Sequence, residues 1–103
     1  MYDHGEILPE DPKARKEIPL HSGLFAYFPK ALVAVAQVSQ AGSKQHKTNG
    51  KWDRSKSTDH HDCILRHLME AGGMDSDGIR HSAKVAWRAL AALEVELEGK
   101  SKK

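Results

Sequence analysis

IRHSAKVAWRALAALEVELE, residues 79–98, decides the fold. Ile79, Ala83, Ala86, Leu90, Leu93 and Leu97 recur at i, i+4, i+7, i+11, i+14 and i+18. That is one continuous stripe on a helix about 30 Å long at 1.5 Å per residue. His81, Lys84 and Arg88 lie opposite it, and the preceding turn Asp75-Ser76-Asp77-Gly78 offers an N-cap. Working backwards, STDHHDCILRHL (57–68) reads as a second helix from Thr58, capped by Ser57 and stopped by Gly72-Gly73. Its aliphatic side carries Ile64, Leu65 and Leu68, while Asp59, Asp62 and Arg66 share the other side. An Asp62–Arg66 ion pair at i, i+4 is the plainest use of that polar stripe, contributing about 0.3–0.5 kcal/mol.

Pro29 suits the first turn of a further helix ending near Gly42. Leu32, Val33, Val35, Ala36 and Val38 cover most of its circumference and leave a narrow strip of Lys30, Ala34, Gln37 and Ala41. Burial by neighbours on several sides is expected. Ser22 to Tyr27 reads as a short helical turn. Residues 1–20, with Pro9, Pro12 and Pro19, read as an extended arm, because proline disfavours helix interiors. Gly42 to Lys56 is a polar loop rich in cations, with Lys44, His46, Lys47, Lys51 and Arg54 around Trp52. Loops of such length are often functional or disordered. No alternating β pattern, internal repeat or glycine-rich phosphate loop occurs. The expected fold is all-α: a small bundle of three main helices (21–98) between an extended arm (1–20) and a basic tail (99–103).

A chain of 103 residues makes one domain at most and buries a modest core, so completion by homo-oligomerisation is expected. The net charge of +2 comes from interspersed signs, and only Lys100, Lys102 and Lys103 cluster, so no nucleic acid partner is expected. A single cysteine, Cys63, cannot form an internal disulfide and fits a reducing cytoplasm. No apolar run reaches the roughly 18 residues a membrane span needs, and no leader-like segment opens the chain, so no membrane partner is expected.

Three chemistries compete. Asp59 and Asp62 have the spacing at which two carboxylates share Mg²⁺ or Mn²⁺, although a hard cation needs more oxygen ligands than two. No acidic residue occurs between Glu17 and Asp53, so the apolar helix supplies none. Zinc is not expected: His60, Cys63 and His67 are suitable ligand types, but seven residues of helix separate the histidines by about 10 Å. The doublet His61-Asp62 lacks the other metal-ligating histidines that a phosphohydrolase built on such a pair would need. Phosphate recognition has more candidates: Lys44, Arg54, Arg66, Lys84 and Arg88, with His46, His67 and His81, would suit an anionic tail if they converge.

The same residues carry a family resemblance. Ala34-Val35-Ala36 leading to Gly42 and Lys44, Lys51-Trp52 with Arg54, Asp62 followed by Arg66-His67-Leu68, and Asp75, Gly78 and His81 before an alanine-rich helix together resemble phage-associated dATP/dGTP diphosphohydrolase N-terminal domains. These are related to the all-α MazG-like nucleotide pyrophosphohydrolases, and the similarity runs from about Ile18 to Glu98. The resemblance implies cleavage of a nucleoside triphosphate to monophosphate and pyrophosphate, with Asp59 and Asp62 on Mg²⁺ or Mn²⁺. It implies a nucleotide ligand held by Lys44, His46, Trp52, Arg54, Arg66, His67 and His81. No catalytic residue is assigned. Ala34 stands where a metal-binding glutamate of relatives is expected. That departure keeps two alternatives open: a non-catalytic phage sponge for host immune signalling nucleotides, and a structural helical interaction module.

Overall fold

The computed structural model describes residues 7–46, 52, 54 and 58–99. It is all-α, and its contacts divide the chain into two units, residues 1–32 and 33–103.

In the first unit the arm is not extended throughout. Residues Pro12–Lys16 form helix α1, with Pro12 in its first turn and the Asp11 carboxylate accepting the Ala14 N–H at 3.0 Å. Pro12 starts this helix because an N1 residue needs no N–H donor and proline's fixed φ is already helical. The Arg15 guanidinium donates back to the Pro9 carbonyl at 3.0 Å. The expected turn near Ser22 is a π-helical turn, His21–Phe25. Gly23 is needed there, since a Cβ would meet Pro19 Cγ at 2.6 Å. Leu20, Leu24, Phe25, Tyr27 and Phe28 all remain exposed.

Helix α2, Pro29–His46, starts in the first unit and runs into the second. It passes through Gly42 rather than stopping there, because glycine ends a helix only where the backbone adopts positive φ, and Gly42 does not. The expected all-round burial is not found: Val33 is 58% exposed, while Ala34, Val35 and Val38 are half-buried. The first five residues of the predicted loop, 42–46, are therefore helix. Of the remainder, Lys47, Lys51 and the expected cap Ser57 lie outside the described residues, as do the Lys100–Lys103 tail and the first six residues.

Helices α3 (His60–Met69) and α4 (His81–Leu97) pack directly on each other. His60 meets Arg88 and His67 meets His81, so they run antiparallel. Helix α3 starts two residues later than expected, with Asp59 at the capping position but making no side-chain cap bond. The connection is tied by backbone: Met74 and Arg80 bridge antiparallel, Asp75 N–H donates to Ile79 O at 2.8 Å, and His81 N–H donates to Gly73 O at 3.1 Å. Gly72 and Gly78 turn the chain at φ +96° and +81°. Asp77 accepts the Ile79 N–H at 3.0 Å, so it shapes the turn, and Arg80 occupies the cap of α4.

The predicted stripe of α4 is covered only in its first half, where Ala83 is buried and Ile79 and Ala86 are half-buried. Leu90, Leu93 and Leu97 are 53%, 49% and 75% exposed, whereas His81 is buried and Lys84 and Arg88 are largely covered. The buried positions are Cys63, Ala83 and Ala91 with Ser43, His60 and His81, and among the described residues no large side chain is fully buried. Small residues let the two helices approach closely, and imidazole and guanidinium groups then fill the seam. Among the described residues no single helix is long and apolar enough to cross a membrane.

Candidate functional site

The α3–α4 seam carries two polar clusters, about 10 Å or seven residues of helix apart. At the open end, Asp59 Oδ1 lies 3.6 Å from Arg88 Nη1 and Asp59 Oδ2 lies 4.0 Å from Arg66 Nη2. Arg66 also donates to Cys63 Sγ at 3.0 Å, and Cys63 donates to Asp59 Oδ2 at 3.5 Å. Arg66 thus turns to Asp59 and Cys63 rather than making the expected pair with Asp62, which is exposed in the first turn of α3. Arg88 Nη1 reaches His60 Nδ1 at 3.2 Å. Backbone hydrogen bonding, the Cys63 thiol and the two guanidinium groups hold the Asp59 carboxyl below its usual range. Burial, then the neighbouring Arg88 charge, lowers His60 and keeps its ring neutral at pH 7.

An aromatic shelf adjoins this end. Trp52 meets Trp87 edge to face at 5.5 Å and His60 at 6.4 Å. The Arg54 guanidinium sits 4.0 Å over the Trp52 ring and forms a two-bond fork to Glu98, at 3.1 and 2.7 Å. The fork fixes a flat cation on a flat ring. Among the described residues Trp52 Nε1 is buried with no acceptor, which costs free energy unless something satisfies it.

At the turn end, His67 Nδ1 and His81 Nδ1 are 2.8 Å apart, with rings 5.1 Å between centroids. His81 Nε2 lies 3.4 Å from Glu70 Oε1. Lys84 Nζ is clasped by Asp75 Oδ2 and Asp77 Oδ2, each at 2.7 Å. That clasp pulls Asp75 down to about 2 and lowers Asp77. Burial opposes the Lys84 charge, but the two carboxylates outweigh it and the amine is raised. Burial first, then the Lys84 charge, lowers His67.

The expected site residues therefore separate. Trp52, Arg54 and Arg66 stand at the open end with Arg88, His67 and His81 stand at the turn end with Lys84, and Lys44 is exposed near the end of α2. The side chain of His46 lies outside the described residues. Asp59 and Asp62 are three residues apart, but Asp59 belongs to the cap and faces two arginines. His60, Cys63 and His67 share one flank of α3 without converging: each is partnered at a different level of the seam. Trp87, Glu98 and Glu70 join these clusters without having been expected there. Trp87 sits four residues after Ala83, on the same face, and that spacing is the signal the sequence offers.

Fold and clusters together define a small all-α domain built on an antiparallel helical hairpin with a cationic, aromatic end and an imidazole–carboxylate end. Over residues 10–103 the sequence matches the family described as dATP/dGTP diphosphohydrolase, N-terminal, and the chain belongs to that family. No curated protein and no solved structure matches it.

Proposed function

We propose that this domain binds a purine deoxynucleoside triphosphate at the open end of the hairpin. The base lies against the Trp52–Trp87 shelf, and the phosphates take over Arg66 and Arg88 from Asp59. The observation that carries this reading is the convergence of two guanidinium groups on Asp59 beside a tryptophan already stacked by Arg54. Guanidinium groups are well suited to phosphate oxygens, and their release would free the Asp59 carboxylate for a cation. Asp59 and Asp62 are the residues assigned to Mg²⁺ or Mn²⁺, with nucleotide oxygens and a second copy of the chain completing the shell. Family membership supports the matching reaction: water adds to the α-phosphorus and pyrophosphate leaves. The cytoplasm of a phage-infected cell is the setting this reading implies.

A second reading, a non-catalytic binder that sequesters signalling nucleotides, draws on Ala34. It is a half-buried methyl on α2, in a stretch from Ile18 to Trp52 that holds no carboxylate side chain. Incubation with Mg²⁺ or Mn²⁺ and a dNTP panel, followed by pyrophosphate assay and denaturation, separates the readings. Pyrophosphate from dATP or dGTP that disappears in Asp62→Ala supports the enzyme. Intact nucleotide released on denaturation, without pyrophosphate, supports the binder. Neither product leaves the interaction module.

A further inference from the structure

We propose that the turn end of the hairpin is a transition-metal site for a zinc-type divalent ion, with His67 Nδ1, His81 Nδ1 and the Asp75 carboxylate as ligands. One ligand atom from each of these residues lies within 4.8 Å of the others. The two imidazole nitrogens, 2.8 Å apart, have nearly the spacing of adjacent ligands at a right angle around an ion, about 2.9 Å for bonds of 2.0–2.1 Å. A tetrahedral ion needs about 3.3 Å, which a small rotation of the half-exposed His67 ring supplies.

The surroundings are organised as metal sites are. Glu70 Oε1, 3.4 Å from His81 Nε2, is placed to accept the proton there and leave the Nδ1 lone pair facing the ion. Lys84 holds Asp75 Oδ2 and the Ser76 N–H donates to Asp75 Oδ1 at 2.7 Å, which fixes the carboxylate while lone pairs remain on both oxygens. Glu70, Asp75 and Asp77 against Lys84 leave two net negative charges around two imidazoles, an electrostatic match for a dication. The helix spacing that rules out His60, Cys63 and His67 does not apply here, because the turn returns His81 and Asp75 to the level of His67. Two histidines and one carboxylate suit zinc, cobalt or iron better than magnesium, and they leave coordination positions open to water or a phosphate oxygen. The site is separate from the Asp59–Asp62 assignment and stands whether or not the nucleotide reading does.

Titration of the full chain with Co²⁺, read by visible absorption, with Zn²⁺ competing, tests it. One ion per chain is expected. His67→Ala and Asp75→Asn should each weaken binding at least tenfold, Glu70→Gln severalfold or more, and exposed His61→Ala should leave it unchanged. His81 is buried and its variants risk unfolding, so the unsubstituted chain provides a second readout. Zn²⁺ should shift the ring NMR signals of His67 and His81 and spare those of His61. Absence of binding, affinity unaltered in a folded His67→Ala, or shifts confined to other histidines would overturn the assignment.

Discussion

Asp75 and Lys84 show how single residues make the hairpin sensitive to acid. The Asp75 carboxyl sits at about 2 in the folded chain against 3.8 when free, so the folded state holds its proton less tightly. Its contribution is complete above about 3.8 and is lost as pH falls towards 2. His60 and His67 are also lowered, from 6.5, so protonation works against the fold as pH drops below that value. Melting temperature followed against pH should therefore fall in two steps, one beginning just under 6.5 and one between about 4 and 2. Lys84→Met should abolish most of the lower step, and a single step in both proteins would contradict this account. At the other end, Arg54→Ala removes both the fork to Glu98 and the cation over Trp52. A loss of stability of about 0.5–1 kcal/mol is expected in chemical denaturation, together with altered Trp52 emission.

The helices follow local chemistry where it is strong and packing where it is not. Gly78 has φ +81° and open space where a Cβ would stand, so Gly78→Ala tests backbone conformation alone. It should destabilise by about 1–2 kcal/mol. Gly42 is helical with equally open surroundings, and Gly42→Ala should stabilise by about 0.5–1 kcal/mol. Thermal melts of the two variants should move in opposite directions. Legibility divides along the same line. The existence of α2, α3 and α4 is readable because apolar residues recur at helical spacing and Pro29, Gly72 and Gly78 mark boundaries, whereas the end of α2 is not, since Gly42 lies within the helix. The face of α4 is readable only in its first half, where Ala83 is buried as its place in the stripe implies. Beyond it hydrophobicity is a poor guide, because the seam takes Ala91 for its size and His81 for its partner and leaves Leu90, Leu93 and Leu97 outside. Helix α1 hides behind Pro12, which reads as a breaker although its position after Asp11 makes it a start. Of the candidate site, the residue types are legible from composition and motif. Their division into two clusters is not, since a hairpin turn sets which residues of α4 face which residues of α3.

For the whole molecule, the leucines left outside matter most. Leu90, Leu93 and Leu97 are about half or more exposed, as are Leu65, Leu68 and Met69 of α3. Full burial of one such side chain contributes about 1.5–3 kcal/mol, so several kcal/mol of apolar stabilisation is unrealised in the single chain. Light scattering should return a multiple of 11.4 kDa, and Leu93→Asp should lower that mass while preserving helical circular dichroism. A monomer in the unsubstituted protein would count against a second copy supplying metal ligands. Finally, the sole thiol of the chain sits inside the seam, with Cys63 only 5% exposed and gripped by Arg66. An alkylating reagent reaches that sulfur only when the two rods part, so the labelling rate is an inbuilt clock for their breathing, and any ligand that clamps either end of the hairpin should slow it.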